Sequence, residues 1–294
     1  MPGHVSARPS RYRPTGVPDY SHRFHAGNVG DVWKHCALVA ILECLSVRAG
    51  RVVYLDSHAG EGRYALGPTG EWTEGIGRLW SERGDGDTVA RYVALCRRLG
   101  TGEDRPTSYP GSPMLARAVL GAGAEIVLWE REEAAFARLA VQVEGDARTG
   151  LHRGDGLAAL AEEVRGAEVR ARAVVVLVDP PWVRKVDWLE VPDVLAAAAR
   201  ASTRATFILW YPVKSLTRPN AMIARLRTAG VPGTVGELVT TPLEHQRQRL
   251  NGSGVLLVRP PAGAVETLAA AAGVIGARCA THAGAWSFRL QAWS

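Results

Sequence analysis

Asp179-Pro180-Pro181-Trp182 follows the aliphatic run Val174-Val175-Val176-Leu177-Val178. Consecutive aliphatic residues without alternation predict a strand buried on both faces, as at the centre of a parallel α/β sheet. Two prolines then withhold the next ladder donors. Asp179 therefore stands at the carboxyl end of a central strand, where open α/β sheets place their ligands. An exocyclic base amine is a poor nucleophile because its lone pair is delocalised into the ring. Asp179 and the Pro180 carbonyl could both accept hydrogen bonds from such an amine, localising the lone pair as it attacks. Each proline fixes its own φ and Pro181 restricts Pro180, so the carbonyl direction is set in advance. Trp182 could stack on the base, a contact worth roughly 1–3 kcal/mol. The same residues also suit an ordinary strand end with a Pro-Pro turn.

Two further carboxylates fall at predicted strand ends. Glu130 closes Glu125-Ile126-Val127-Leu128-Trp129-Glu130, and Asp155 lies between Gly154 and Gly156 after a short strand at Thr149–His152. An acidic residue about 20 positions beyond a glycine turn takes ribose hydroxyls in nucleotide-binding α/β units. The turn here is Ser57-His58-Ala59-Gly60-Glu61-Gly62, after a first strand at Arg51–Asp56. It has no Lys-Ser/Thr ending and is not a full dinucleotide fingerprint. Glu130 falls 18 residues after Ser112, so the normal spacing returns if residues 63–109 are an insertion. Asp155 could accept from an adenine amine, or serve only as a turn residue.

These residues need a scaffold, and the remaining pattern supplies one. Asn28 caps a predicted helix to about Arg48 that carries Asp31, Lys34 and His35; alone, Lys34 reads as a solvated helix residue. Within the insertion, Trp72–Glu82 and Thr88–Leu99 are helix-like. Ser112, with Pro113 behind it, caps a helix to about Leu120. Further helices are expected at Arg131–Val143, Trp188–Ala201, Asn220–Ala229 and Ala264–Gly273. Further strands are expected at Ala205–Tyr211 (ended by Pro212), Thr234–Thr241, Gly254–Arg259 and, at an edge, Ala285–Gln291. Strands alternating with helices give a Rossmann-like, mostly parallel α/β sheet.

Composition narrows the class. No apolar run reaches the roughly 18 residues of a membrane span, and the arginine-bearing start has no apolar stretch after it, unlike a secretory signal. Cys36, Cys44, Cys96 and Cys279 lack metal-site spacing, so no metal is expected and a reduced, cytoplasmic setting fits. The net charge is +6, nearly all of the positive residues being arginine, which suits a phosphate-rich partner. Residues 1–18 read as a mobile basic arm. The domain expectation is then one α/β domain at 19–62 and 110–294, with the helical insertion at 63–109 between its parts. Carboxylates at strand ends suit a cationic nucleoside better than a pyrophosphate, and S-adenosylmethionine is such a ligand.

At this point the chain resembles the bacterial large-subunit ribosomal RNA methyltransferase J family, over most of Tyr20 to Arg259. The resemblance rests on Phe24-His25-Ala26-Gly27-Asn28 with Asp31, Val32, Lys34 and His35, then Tyr54-Leu55-Asp56 and His58-Ala59-Gly60 with Gly62-Arg63-Tyr64. It continues through Tyr109-Pro110-Gly111-Ser112-Pro113, Asp155-Gly156, Asp179-Pro180-Pro181, Leu209-Trp210-Tyr211-Pro212-Val213 and Ser253-Gly254. It implies a monomeric S-adenosylmethionine-dependent enzyme that methylates the N6 amine of an adenine in 23S rRNA, in a hairpin with an accessible base. Cofactor contacts would fall on Lys34, His58, Gly60, Ser112, Glu130, Asp155, Gly156 and Asp179. Catalysis would fall on Asp179 and Pro180, with Trp182 where the family has tyrosine. A Tyr and His motif maps onto Tyr20 and His22, and Tyr20 would cover the site. DNA adenine methyltransferases share Asp-Pro-Pro-aromatic and are the nearest alternative. A noncatalytic RNA-binding protein on the same fold is another, and a nicotinamide oxidoreductase is more distant.

Overall fold

A computed structural model describes residues 24–48, 50–83, 86–244 and 250–294. The expected arm, Tyr20 and His22 lie outside the described residues. Helix α1 (Val29–Arg48) starts where Asn28 Oδ1 accepts the Asp31 amide at 2.9 Å, the service a short polar side chain gives at a helix start. Strand β1 (Val52–Asp56) follows, buried throughout. After residues 63–109 come α4 (Ser112–Val119), β4 (Glu125–Glu130), α5 (Glu133–Val143), β5 (Thr149–Arg153), α6 (Gly156–Arg170) and β6 (Ala173–Val178). The chain continues with α7 (Asp187–Ala201), β7 (Thr206–Val213), α8 (Thr217–Thr228), β8 (Gly233–Val239), β9 (Gly252–Val258), α9 (Ala264–Cys279) and β10 (Ser287–Trp293).

The large sheet has the order β10-β8-β9-β7-β6-β1-β4-β5. Strands β7, β6, β1, β4 and β5 are parallel, while β9, β8 and β10 pair antiparallel beyond them. From β1 the chain steps outward through β4 to β5, then returns to place β6 on the other side of β1. That reversal puts a topological switch point between β1 and β6, where a crevice for ligands opens. Strand β6 explains its unalternating sequence. Val175 and Leu177 enter the core shared with α1, α4, α5 and α9, whereas Val174, Val176 and Val178 enter the core beneath α6, α7 and α8.

Residues 63–109 leave and rejoin through a short antiparallel ribbon, β2 (Arg63–Ala65) with β3 (Ser108–Pro110), in which Arg63 pairs with Pro110. Between them the expected Trp72–Glu82 helix is a 3-10 turn at Glu71–Thr73 followed by one turn of α2 (Ile76–Leu79); α3 (Thr88–Leu99) keeps its expected bounds. Trp72, Ile76, Tyr92 and Tyr109 join the same core as Trp33 and Leu38 of α1, so this segment is packed against the helix that carries Lys34.

Two local expectations are corrected. Pro212 does not end β7, which runs to Val213. Pairing with β6 stops at Leu209, and beyond it β7 has β9 on one side alone, where a missing donor is tolerated. Helix α9 passes through Gly273 and Gly276 to Cys279, because a Cβ at Gly276 would lie 2.3 Å from Trp286. Glycine there makes room for an indole instead of stopping the helix. Among the described residues no helix is long and apolar enough to cross a membrane.

Candidate functional site

The parallel strands β6, β1, β4 and β5 deliver Asp179, Asp56, Glu130 and Asp155 to one end of the sheet. Asp179 follows the last residue of β6, and its Oδ2 lies 2.5 Å from Lys34 Nζ. The same ammonium is 2.7 Å from Asp31 Oδ1, one helical turn earlier, and sits over the Trp210 ring at 5.5 Å. Burial disfavours the charge on Lys34, but the carboxylates of Asp179 and Asp31 more than offset this, holding its pKa above that of an ordinary lysine. Asp31 is itself fixed, since its Oδ2 accepts the Gly27 amide at 2.9 Å. Lys34 is thus not a solvated helix residue; it bridges α1 to the tip of β6.

Beyond β1 the turn is stitched to both neighbours. Ser57 donates its amide to Leu177 of β6 at 3.1 Å, and Ala59 donates to Trp129 of β4 at 2.9 Å. Gly60 adopts φ +66°, and a Cβ there would meet the Tyr64 hydroxyl, so only glycine fits this corner. Glu130 Oε2 accepts the Gly60 amide at 2.8 Å and Oε1 accepts the Glu132 amide at 2.7 Å. Burial raises its pKa, with those amides opposing. His58 Nδ1 lies 2.8 Å from Ser57 Oγ. Burial lowers its pKa to about 4, although Asp179 and Asp155 both pull the other way. His58 itself follows β1, the strand between β6 and β4.

Several expected contacts have other duties. Ser112 is the first residue of α4, not its cap, which is Gly111. Its hydroxyl turns inward and donates to Asp56 Oδ2 at 2.7 Å. Asp56 also accepts from Tyr54 Oη at 2.7 Å and from the His58 amide at 3.2 Å. Burial raises its pKa to about 6 against these donors. Ser112 therefore buttresses β1 from behind. Asp155 caps α6, its Oδ1 accepting the Leu157 and Ala158 amides at 3.0 and 3.2 Å. Gly156 is required by packing, since a Cβ would lie 2.4 Å from the Ser57 carbonyl.

Trp182 departs most from expectation. Its backbone is left-handed at φ +54°, the residue is 8% exposed, and Nε1 donates to the Trp210 carbonyl at 3.0 Å. One side of the indole packs on Trp188, with ring centroids 4.4 Å apart. The ring is a buried anchor for the turn after Asp179 and presents no open platform to a base. Pro180 is buried beside it and Pro181 exposed. Asp31, Asp56 and Trp210 were not singled out as site residues from sequence. A weak signal existed for Asp31, three residues before Lys34 on one helix face.

Comparisons with known proteins agree with this architecture. The model of the family described as ribosomal RNA large subunit methyltransferase D, RlmJ, matches residues 50–292. Ribosomal RNA large subunit methyltransferase J of Escherichia coli (strain K12) is 31% identical over 249 residues, covering 82% of this chain and 87% of that protein. The protein of that description from Haemophilus influenzae is 32% identical over 248 residues, covering 82% and 87%. A solved protein of Legionella pneumophila superposes with a TM-score of 0.83 at 23% identity, covering 92% of this chain and 99% of its own, which speaks for the fold. The chain belongs to the RlmJ family of large-subunit ribosomal RNA methyltransferases, enzymes that methylate ribosomal RNA with S-adenosylmethionine as the methyl donor.

Proposed function

We propose that this enzyme methylates the N6 amine of an adenine in 23S rRNA, at an unpaired or extruded base in a hairpin, and acts as a cytoplasmic monomer. The observation that carries this reading is Asp179 at the tip of β6, held through Oδ2 by Lys34 and followed by Pro180-Pro181. With Oδ2 engaged, Oδ1 can accept an N–H from the amine, and the Pro180 carbonyl can accept the other. Such fixed acceptors favour the geometry in which the nitrogen lone pair is free to attack, and preorganisation of this kind supplies much of an enzyme's rate.

The donor set suits S-adenosylmethionine. A carboxylate has about four acceptor sites; Glu130 spends one on each oxygen for backbone amides and keeps capacity for ribose hydroxyls. Asp155 uses Oδ1 for its helix, leaving Oδ2 for the adenine amine. The left-handed Gly60 corner lets backbone approach the ligand. Lys34 would act on the ligand through the Asp179 carboxylate that it holds, and His58, neutral at pH 7, adds no charge against the sulfonium. When bound, the cofactor supplies an electrophilic methyl group. We further read residues 63–109 as an insertion into the methyltransferase domain that braces α1 and, through it, Lys34. Nucleoside analysis of 23S rRNA incubated with enzyme and cofactor tests the assignment. The proposal expects N6-methyladenosine at one position; methylation of another base, or of duplex DNA in its place, would overturn it.

A further inference from the structure

At the opposite end of the sheet from Asp179, a cavity of about 550 Å³ is lined by Arg48, Arg51, Arg170, Arg172 and Arg204 together with Glu168. Arg48 and Arg170 occupy the last turns of α1 and α6, where a cation offsets the negative helix end. That accounts for two of the guanidinium groups. Arg51, Arg172 and Arg204 lie two or three residues past the ends of α1, α6 and α7, just ahead of β1, β6 and β7, beyond the last turns where a cation offsets a helix end most. Glu125 receives Arg170 at 2.9 Å and Arg51 at 3.5 Å, and Glu168 receives Arg204 at 3.7 Å. Five guanidinium groups against these two carboxylates leave an excess of three positive charges on one open face.

We propose that this arginine floor binds the phosphate backbone of the ribosomal RNA outside the segment that carries the target base. The proposal rests on the family's RNA substrate. Helices α1 and α6 aim carbonyl ends at the cavity, so a small anion finds none of the backbone donors that build a compact phosphate site. Guanidinium groups spread along three strand starts and two helix ends instead match phosphates repeated along a chain, each gripped in a planar, two-point manner. The six residues of β6 separate floor from catalytic end by roughly 20 Å at about 3.3 Å per residue. A short hairpin seated at Asp179 would not reach that far around the molecule, whereas a longer rRNA fragment would.

The test compares wild type with Arg51→Glu/Arg172→Glu, two exposed positions, and with a charge-matched control, Arg98→Glu/Arg165→Glu, also exposed. Filter binding of a short target hairpin and of a several-hundred-nucleotide fragment containing it is followed across a KCl series. The floor variant should bind the long fragment at least about tenfold more weakly, with a log–log salt slope shallower by about 1.5–2. It should bind and turn over the short hairpin as wild type does. Equal losses on both RNAs, equal losses in the control, or no loss would each overturn the proposal. Because binding is read directly, the result stands whether or not the methylated atom proves to be adenine N6.

Discussion

The side chain of Trp182 and the backbone of Trp210 are joined by a 3.0 Å hydrogen bond across the gap between the β6 tip and β7. The ring of the same Trp210 lies beneath Lys34, which in turn holds Asp179. The Asp-Pro-Pro-Trp turn is therefore tied at both ends to one residue, through its carbonyl at one end and through the lysine above its ring at the other. A motif whose first and last members share an anchor is rigid without needing extra contacts of its own.

Trp182→Phe keeps an aromatic ring against Trp188 but removes the donor to Trp210. We expect kcat to fall about three- to tenfold, the worth of roughly one hydrogen bond, while cofactor KM stays within twofold. Trp182→Ala should also destabilise the fold by about 3–5 kcal/mol through the cavity it leaves. Steady-state kinetics and thermal melts separate the two.

Lys34→Met strands Asp31 and Asp179 without their shared cation. Removing one partner of a buried ion pair typically costs about 3–5 kcal/mol, so the melting temperature should drop by many degrees. Adding Asp31→Asn to Lys34→Met should recover part of that loss, because one uncompensated charge is gone. A double variant no more stable than the single would show that the two charges are not coupled.

Asp56 and His58 oppose each other in acid. The folded-state pKa of Asp56 is raised to about 6, so the folded protein gains stability as pH falls from about 6 towards the unfolded carboxylate value. His58, lowered to about 4, does the reverse, losing stability as pH falls from about 6.5 through 4. Denaturant melts between pH 7 and 4 should therefore show steeper acid destabilisation in Asp56→Asn than in wild type. His58→Gln should show a flatter profile. The opposite ordering would contradict these environments.

Glu130→Gln and Asp155→Asn should each raise the KM for S-adenosylmethionine by roughly tenfold, the loss of about one charge-assisted hydrogen bond, with smaller changes in kcat. Isothermal titration of the cofactor checks this independently of turnover. Asp155→Asn retains an N-cap side chain, so its melting temperature should hold.

Much of this site could be read from residue order. The unalternating Val174–Val178 run announced a strand with a core on each face, and β6 has both. Carboxylates after strands reach one sheet end because parallel strands all point their tips the same way. Side-chain direction was not legible. Ser112 carries the composition of a cap, yet its hydroxyl turns to Asp56 because β1 supplies a buried acceptor nearby. Trp182 has the composition of a stacking platform, but Trp188, six residues on at the start of α7, and the Trp210 carbonyl of β7 draw its ring inward. Lys34 read as solvated until the fold set Asp179, 145 residues away, against it. Contacts that decide a side chain's role here come from elements whose approach no local pattern encodes.

Asp179→Asn in a methyl-transfer assay on 23S rRNA, paired with calorimetry of S-adenosylmethionine binding, bears hardest on this reading of the site. Losing a positioned polar group at the reacting atom costs about 10²–10³ in kcat, so methylation should fall by at least that factor while cofactor affinity changes less than about threefold. Near-normal turnover by this variant would contradict the role given to Asp179 and, with it, the mechanism.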